Sequence, residues 1–136
     1  MTTPRDLLGT WVLERDVDDH LNGEQRRVEG STTLTEVDAA TVRWDEVGTM
    51  RWAWHEVPVS RTLYAVERDG GWWVTFEDGR DFHPWSPGDD VVHPCAPDTY
   101  RGRVEVLAED RWSVTWRATG PQKDYTMHST LTRRSG

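Results

Sequence analysis

Apolar and polar side chains alternate along almost the whole chain, and a turn interrupts the alternation at intervals of roughly 8 to 12 residues. That rhythm constrains the fold most, because a period of two sends alternate residues to opposite faces of a strand, whereas a helix repeats at 3.6. From Thr10 to Val17, Trp11, Leu13 and Arg15 share one face, and Thr10, Val12 and Glu14 share the other. A turn from Asp18 to Gly23 ends on Asn-Gly, and Gln25 to Val37 resumes the alternation through Val28, Gly30, Thr32 and Leu34. Gly30 permits a bend or a close backbone approach. Thr41 to Val47 and Met50 to Val57 read as two strands parted by Gly48, with Pro58 marking an edge or a turn. Arg61 to Arg68 and Trp72 to Phe76 flank the hairpin turn Asp69-Gly70-Gly71, and Asp78-Gly79 turns the chain into Arg80 to Trp85.

Ser86 to Asp90 forms a loop and His93 to Asp98 is rich in proline; Tyr100 to Ala108, Arg111 to Thr119 and Tyr125 to Arg133 then make a meander. Ahead of all this, Thr3 as N-cap, Pro4 and Asp6 predict one helical turn that Gly9 ends. The expected fold is all-β: about ten short strands in one up-and-down barrel domain over residues 1–136.

A chain of 136 residues buries enough surface for one core without staples. The lone Cys95 excludes an internal disulfide, and no apolar run has the length of a signal peptide or a membrane span, so a soluble, cytoplasmic protein is expected. The net charge of -8, with Arg dispersed among acids, argues against nucleic acid as a partner. With nine Trp against two Phe, the core is filled mainly by indole, which also suits the wall of a ligand pocket.

Two resemblances follow from particular residues. The helical turn followed by Gly9-Thr10-Trp11 resembles the Gly-x-Trp opening of the calycins, the lipocalin-like barrels, and implies a Trp packed at the closed end of the barrel. Four motifs extend the likeness over nearly the whole chain. They are Gly9-x-Trp11; Phe76-x-Asp78-Gly79-Arg80-x-Phe82-His83; His93-x-Cys95-x-x-Asp98-x-Tyr100-x-Gly102; and a run from Trp112 through Gly120-Pro121-x-Lys123-Asp124-Tyr125. In order and separation they resemble a bacterial family of small proteins of unknown function, which implies the calycin-like barrel and no particular reaction.

The stretch from Phe76 to Tyr100 concentrates the groups that carry chemistry. It holds His83, His93, Cys95, Asp78, Asp81, Asp98, Arg80 and Tyr100. A neutral-pH proton carrier, carboxylates to orient it and cations to hold a developing anion are the parts of acid–base catalysis. The expected catalytic set is His83 or His93 as base, with Asp78, Asp98 and Tyr100. Arg80, Trp73, Trp85, Cys95, Trp116, Arg117, Lys123 and Tyr125 are expected to bind substrate.

The leading expectation is thus a calycin-like barrel that isomerises, cyclises or cleaves a small organic molecule in a Trp-lined cavity, with no cofactor, no metal and no membrane or nucleic-acid partner. A binding or carrier protein using the same cavity is the rival, and an interaction module with a filled interior is the third reading. A zinc site on His83, His93 and Cys95, completed by Asp81 or Asp98, and a haem ligated by His55 are weaker alternatives. The phase of the strand carrying Trp112, Val114, Trp116 and Arg117 stays open, because Trp occupies both phases elsewhere, as at Trp72-Trp73.

Overall fold

A computed structural model describes residues 1–134. After a 3-10 turn over Pro4–Leu7 come ten strands: β1 Gly9–Asp19, β2 Glu24–Asp38, β3 Thr41–Trp52, β4 His55–Arg68, β5 Gly71–Phe76, β6 Asp81–Pro84, β7 Asp90–Cys95, β8 Asp98–Ala108, β9 Arg111–Gly120 and β10 Lys123–Arg133. All join one antiparallel sheet in the order β6-β5-β4-β3-β2-β1-β10-β9-β8-β7. Each strand pairs with its neighbour in sequence, β1 pairs with β10, and the circle closes everywhere except between β6 and β7. The sheet is a nearly closed up-and-down barrel, the all-β class that the alternation predicts.

One side-chain phase of every long strand faces inward. On β1 it is Trp11, Leu13 and Arg15; on β3 it is Val42, Trp44 and Glu46; on β9 it is Trp112, Val114, Trp116 and Ala118, which leaves Arg117 exposed. The first half of each inward row closes the barrel floor. There Trp11, Trp44, Trp85 and Trp112 meet edge to face, with ring centroids 5.4 to 6.5 Å apart. The helical turn and the residues leading into it cap this cluster by accepting two indole N–H groups, from Trp11 at the Leu7 carbonyl (2.8 Å) and from Trp85 at the Thr2 carbonyl (2.9 Å). Its own start is fixed by the Thr3 amide, which donates to the Asp6 carboxylate at 2.8 Å.

Three segments depart from the sequence reading. Gly48 does not break a strand. It sits inside β3 opposite Gly30 of β2, and a Cβ built on Gly30 would lie 2.0 Å from the Val47 carbonyl oxygen, so the glycine pair allows two backbones to approach where side chains would hold them apart. The turn falls later, at Ala53 and Trp54, and Pro58 lies within β4. It is tolerated because β5 pairs only with Leu63 to Arg68, leaving the half of β4 from His55 to Thr62 with one free edge. The third is β7, hidden in sequence because Pro94 follows only three strand-forming residues, Val91, Val92 and His93. The expected count of about ten survives because one strand was divided and another missed.

Candidate functional site

The floor of the barrel is packed, but the opposite half is not. The turns at 20–23, 53–54, 77–80, 96–97 and 121–122 surround its open end. A mouth cavity of about 340 Å³ is walled by Val17, Val28, Met50, Val59, Met127 and Tyr125, with Arg15, Asp19 and Arg26 among them. A chamber of about 90 Å³ lies beside it and shares Arg15, Val28 and Val59 with it, adding Leu13, Glu46 and Arg61. Apart from these charged groups the walls are aliphatic, thioether and phenolic. The Trp side chains expected to line a cavity instead fill the core, with Trp11, Trp44, Trp72, Trp85, Trp112 and Trp116 all buried.

Glu46 is the charged centre of the chamber, although only 4 % exposed. The Arg15 Nη2 donates to both of its oxygens at 2.9 and 3.1 Å, and the Arg61 Nε donates to Oε1 at 2.8 Å. Thr32 Oγ1 and Trp44 Nε1 approach Oε2 at 3.3 and 3.4 Å. Burial alone would raise the Glu46 pKa, but the charges and hydrogen bonds of Arg61 and Arg15 override it and hold the carboxyl at about 2. Arg15 is fixed from behind by donating its Nε–H to Ser129 Oγ at 2.7 Å. None of this trio stood among the expected site residues. The signal was partial: Arg15 shares a phase with Trp11 and Leu13, but its partners lie far along the chain, since Glu46 is separated by 31 from Arg15 and by 15 from Arg61.

The seam between β6 and β7 is closed by rings in place of backbone hydrogen bonds. Phe82 stacks on Phe76 (4.6 Å) and on Trp116 (4.9 Å) and meets His93 edge-on at 5.2 Å. His83 lies against Trp116 at 5.1 Å, and His93 lies 6.1 Å from Tyr100. The stretch from Phe76 to Tyr100 is therefore the border of the one unpaired gap in the barrel. His83 is buried, with its Nδ1 2.8 Å from the Pro84 carbonyl oxygen. That contact makes Nδ1 the protonated nitrogen and leaves a lone pair on Nε2, which has no hydrogen-bond partner among the described residues. Burial, with smaller contributions from the charges of Arg61 and His93, pulls His83 down to about 4 against the opposing effect of Pro84.

At the rim, Lys123 Nζ donates to the Tyr100 hydroxyl at 2.9 Å and lies 3.3 Å from Asp98, and both contacts push its pKa up. Tyr125 is pushed up too, first by burial and then by the nearby charge of the Tyr100 phenolate. So Tyr100, Asp98, Lys123 and Tyr125 form one rim cluster, and His83, His93 and Trp116 form the seam.

The other expected site residues lie apart. Asp78 and Arg80 pair with each other in an exposed turn at 2.7 Å, and Arg117 pairs with Asp124 on the outer surface. Cys95 is exposed, Trp73 carries Arg68 over its ring at 5.0 Å on the outside, and Trp85 belongs to the floor. Among the described residues no three His, Cys, Asp or Glu side chains are grouped to hold a metal ion, and His55 is an exposed residue stacked between Trp52 and Trp54.

The family model described as a family of unknown function, DUF6314, matches residues 7–133, from the last residue of the helical turn to the last residue of β10. The chain belongs to the DUF6314 family. No curated protein matches this DUF6314 chain. Among solved structures it is similar to the S-type phycobiliprotein lyase CPES from Guillardia theta, with a TM-score of 0.70 at 13% identity, covering 98% of this chain and 91% of that one. It is also similar to mFAP1, a redesigned β-barrel solved with DFHBI bound, with a TM-score of 0.54 at 12% identity over 96% and 97% of the two chains. A fluorescence-activating β-barrel designed de novo gives a TM-score of 0.52 at 13% identity over 96% of each chain. At these identities the likeness is one of fold alone, that of a calycin-like up-and-down barrel. No helix among the described residues is long and apolar enough to cross a membrane.

Proposed function

We propose that this chain binds a small organic molecule in the open half of its barrel. The observation that carries the reading is the contrast between the two halves: indoles fill the floor, while the mouth keeps a cavity of about 340 Å³ with an apolar wall and a few fixed polar groups. That is the usual composition of a small-molecule site. The likeness to mFAP1, a barrel of this kind with DFHBI bound, supports it. Ligand-detected NMR against a fragment library provides the test. Fragments that bind the wild type should be lost in Met127→Trp, which fills the mouth, while the melting temperature is kept. No binding fragment, or binding indifferent to Met127→Trp, overturns the reading.

Acid–base chemistry on the bound molecule, of the isomerase, cyclase or lyase kind, is the second reading, and the unpartnered Nε2 of His83 favours it. An imidazole held at about 4 is neutral at pH 7 but a weak base, so His83 is suited to accept a hydrogen bond from the bound molecule, which leaves His93, on the other flank of the seam, as the candidate base to test. Bound fragments incubated in heavy water should take up deuterium at a carbon with the wild type and not with His93→Gln. A molecule returned unchanged by both makes the protein a carrier.

A further inference from the structure

We infer that the occupant of this barrel is a monoanion, an apolar carboxylate whose charged end docks on Arg61 and Arg15. The inference rests on the binding reading above and names the class of ligand. A buried carboxylate needs one guanidinium to neutralise it, yet Glu46 has two, at 2.8 and 2.9 Å. The chamber therefore holds an excess of one positive charge, inside a protein whose net charge is -8.

A buried cation without a counter-charge is costly, and the site lowers that cost by leaving the Arg61 side chain 33% exposed, against 11% for Arg15. Arg61 uses only its Nε on Glu46; its two Nη groups have no acceptor among the described residues. Those groups belong to a residue whose charge is felt by both His83 and Tyr125, one on the seam and one at the mouth. They are a planar fork open to an incoming ligand, and a carboxylate matches that fork.

The charge count selects among anions. A monocarboxylate cancels the excess; a phosphate dianion would reverse it and leave a net negative charge beside Glu46. The body of the ligand then lies toward the mouth against Val28, Val59, Met50 and Met127, whose only polar atoms are weakly accepting thioether sulfurs, that of Met50 already facing Arg26, and which so call for an apolar group. The rim cations are already engaged, Lys123 with Asp98 and Tyr100, and Arg26 with Glu24 and the ring of Trp52.

Calorimetric titration of the full chain with 2-naphthoate and with 2-naphthamide, its neutral isostere, tests this directly. The wild type should prefer naphthoate by about tenfold or more. Arg61→Met, which leaves Glu46 and Arg15 as a balanced pair, should lose that preference while binding the amide as before. Equal binding of the two probes by the wild type, or a preference that survives in Arg61→Met, overturns the inference. Amide binding without naphthoate binding overturns it while leaving the cavity reading intact, and binding of neither probe overturns it whatever the fragment screen returns. If Arg61→Met fails to fold, the wild-type comparison stands alone, and Arg61→Lys, which keeps the charge without the fork, should retain a reduced preference.

Discussion

Burial withholds a proton from His83, and the stability of the barrel must register that. The unfolded chain protonates this imidazole near 6.5 and the folded chain only at about 4, so the unfolded state binds more protons throughout that interval. Stability is therefore fully present above pH 6.5 and falls as the pH drops to 4. Glu46 acts in the next window with the same sign, its contribution present above 4.5 and lost as the pH falls toward 2. Urea denaturation between pH 7 and pH 4 should show the wild type losing about 3 kcal/mol, and His83→Gln should be nearly flat there. A flat wild-type curve would mean that the imidazole protonates freely in the folded state. Sequence alone shows His83 as a titratable residue near a turn, and it shows Arg15 in phase with Trp11 and Leu13. It does not show that Arg15, Glu46 and Arg61 converge, because the register of the strands that carry them brings them together and no local spacing encodes it.

Elements were legible wherever the alternation was long, as in β1, β2 and the meander from β8 to β10, and blurred where glycine or proline carried a tertiary role. Gly48 reads as a break because glycine usually weakens a strand; only the facing Gly30 reveals close approach as its purpose. Gly30→Ala should cost about 1–3 kcal/mol in chemical denaturation, since its Cβ would fall 2.0 Å from a backbone oxygen that cannot swing aside. Gly71→Ala, at the start of β5 with nothing within 4 Å of the added carbon, should stay within about 0.5 kcal/mol of wild type. Similar costs at the two positions would refute the close-approach account. Proline misleads in the opposite direction. Pro94 hides β7, although Val91 on that strand is buried in the core.

At the scale of the molecule, the barrel class follows from strand rhythm and hairpin turns, which are local properties. The place where the barrel fails to close does not, because it depends on which edges meet after all the hairpins have formed. The rings that fill that gap come from β5, β6, β7 and β9, and nothing in their spacing marks them as neighbours. The seam falls between two strands that are consecutive in the chain, while the ladder that joins the two flanks runs between β1 and β10 at its extremes. Folding must therefore wait for one pairing with nearly the longest loop the chain can offer. Opening the chain in the loop after Trp85 and linking Arg134 to Thr2 would make spatial order and sequence order coincide from β7 round to β6, so that every ladder becomes a hairpin. Such a circular permutant should keep the native tryptophan spectrum and refold faster than the parent in stopped-flow mixing, and an unchanged rate would place the slow step elsewhere.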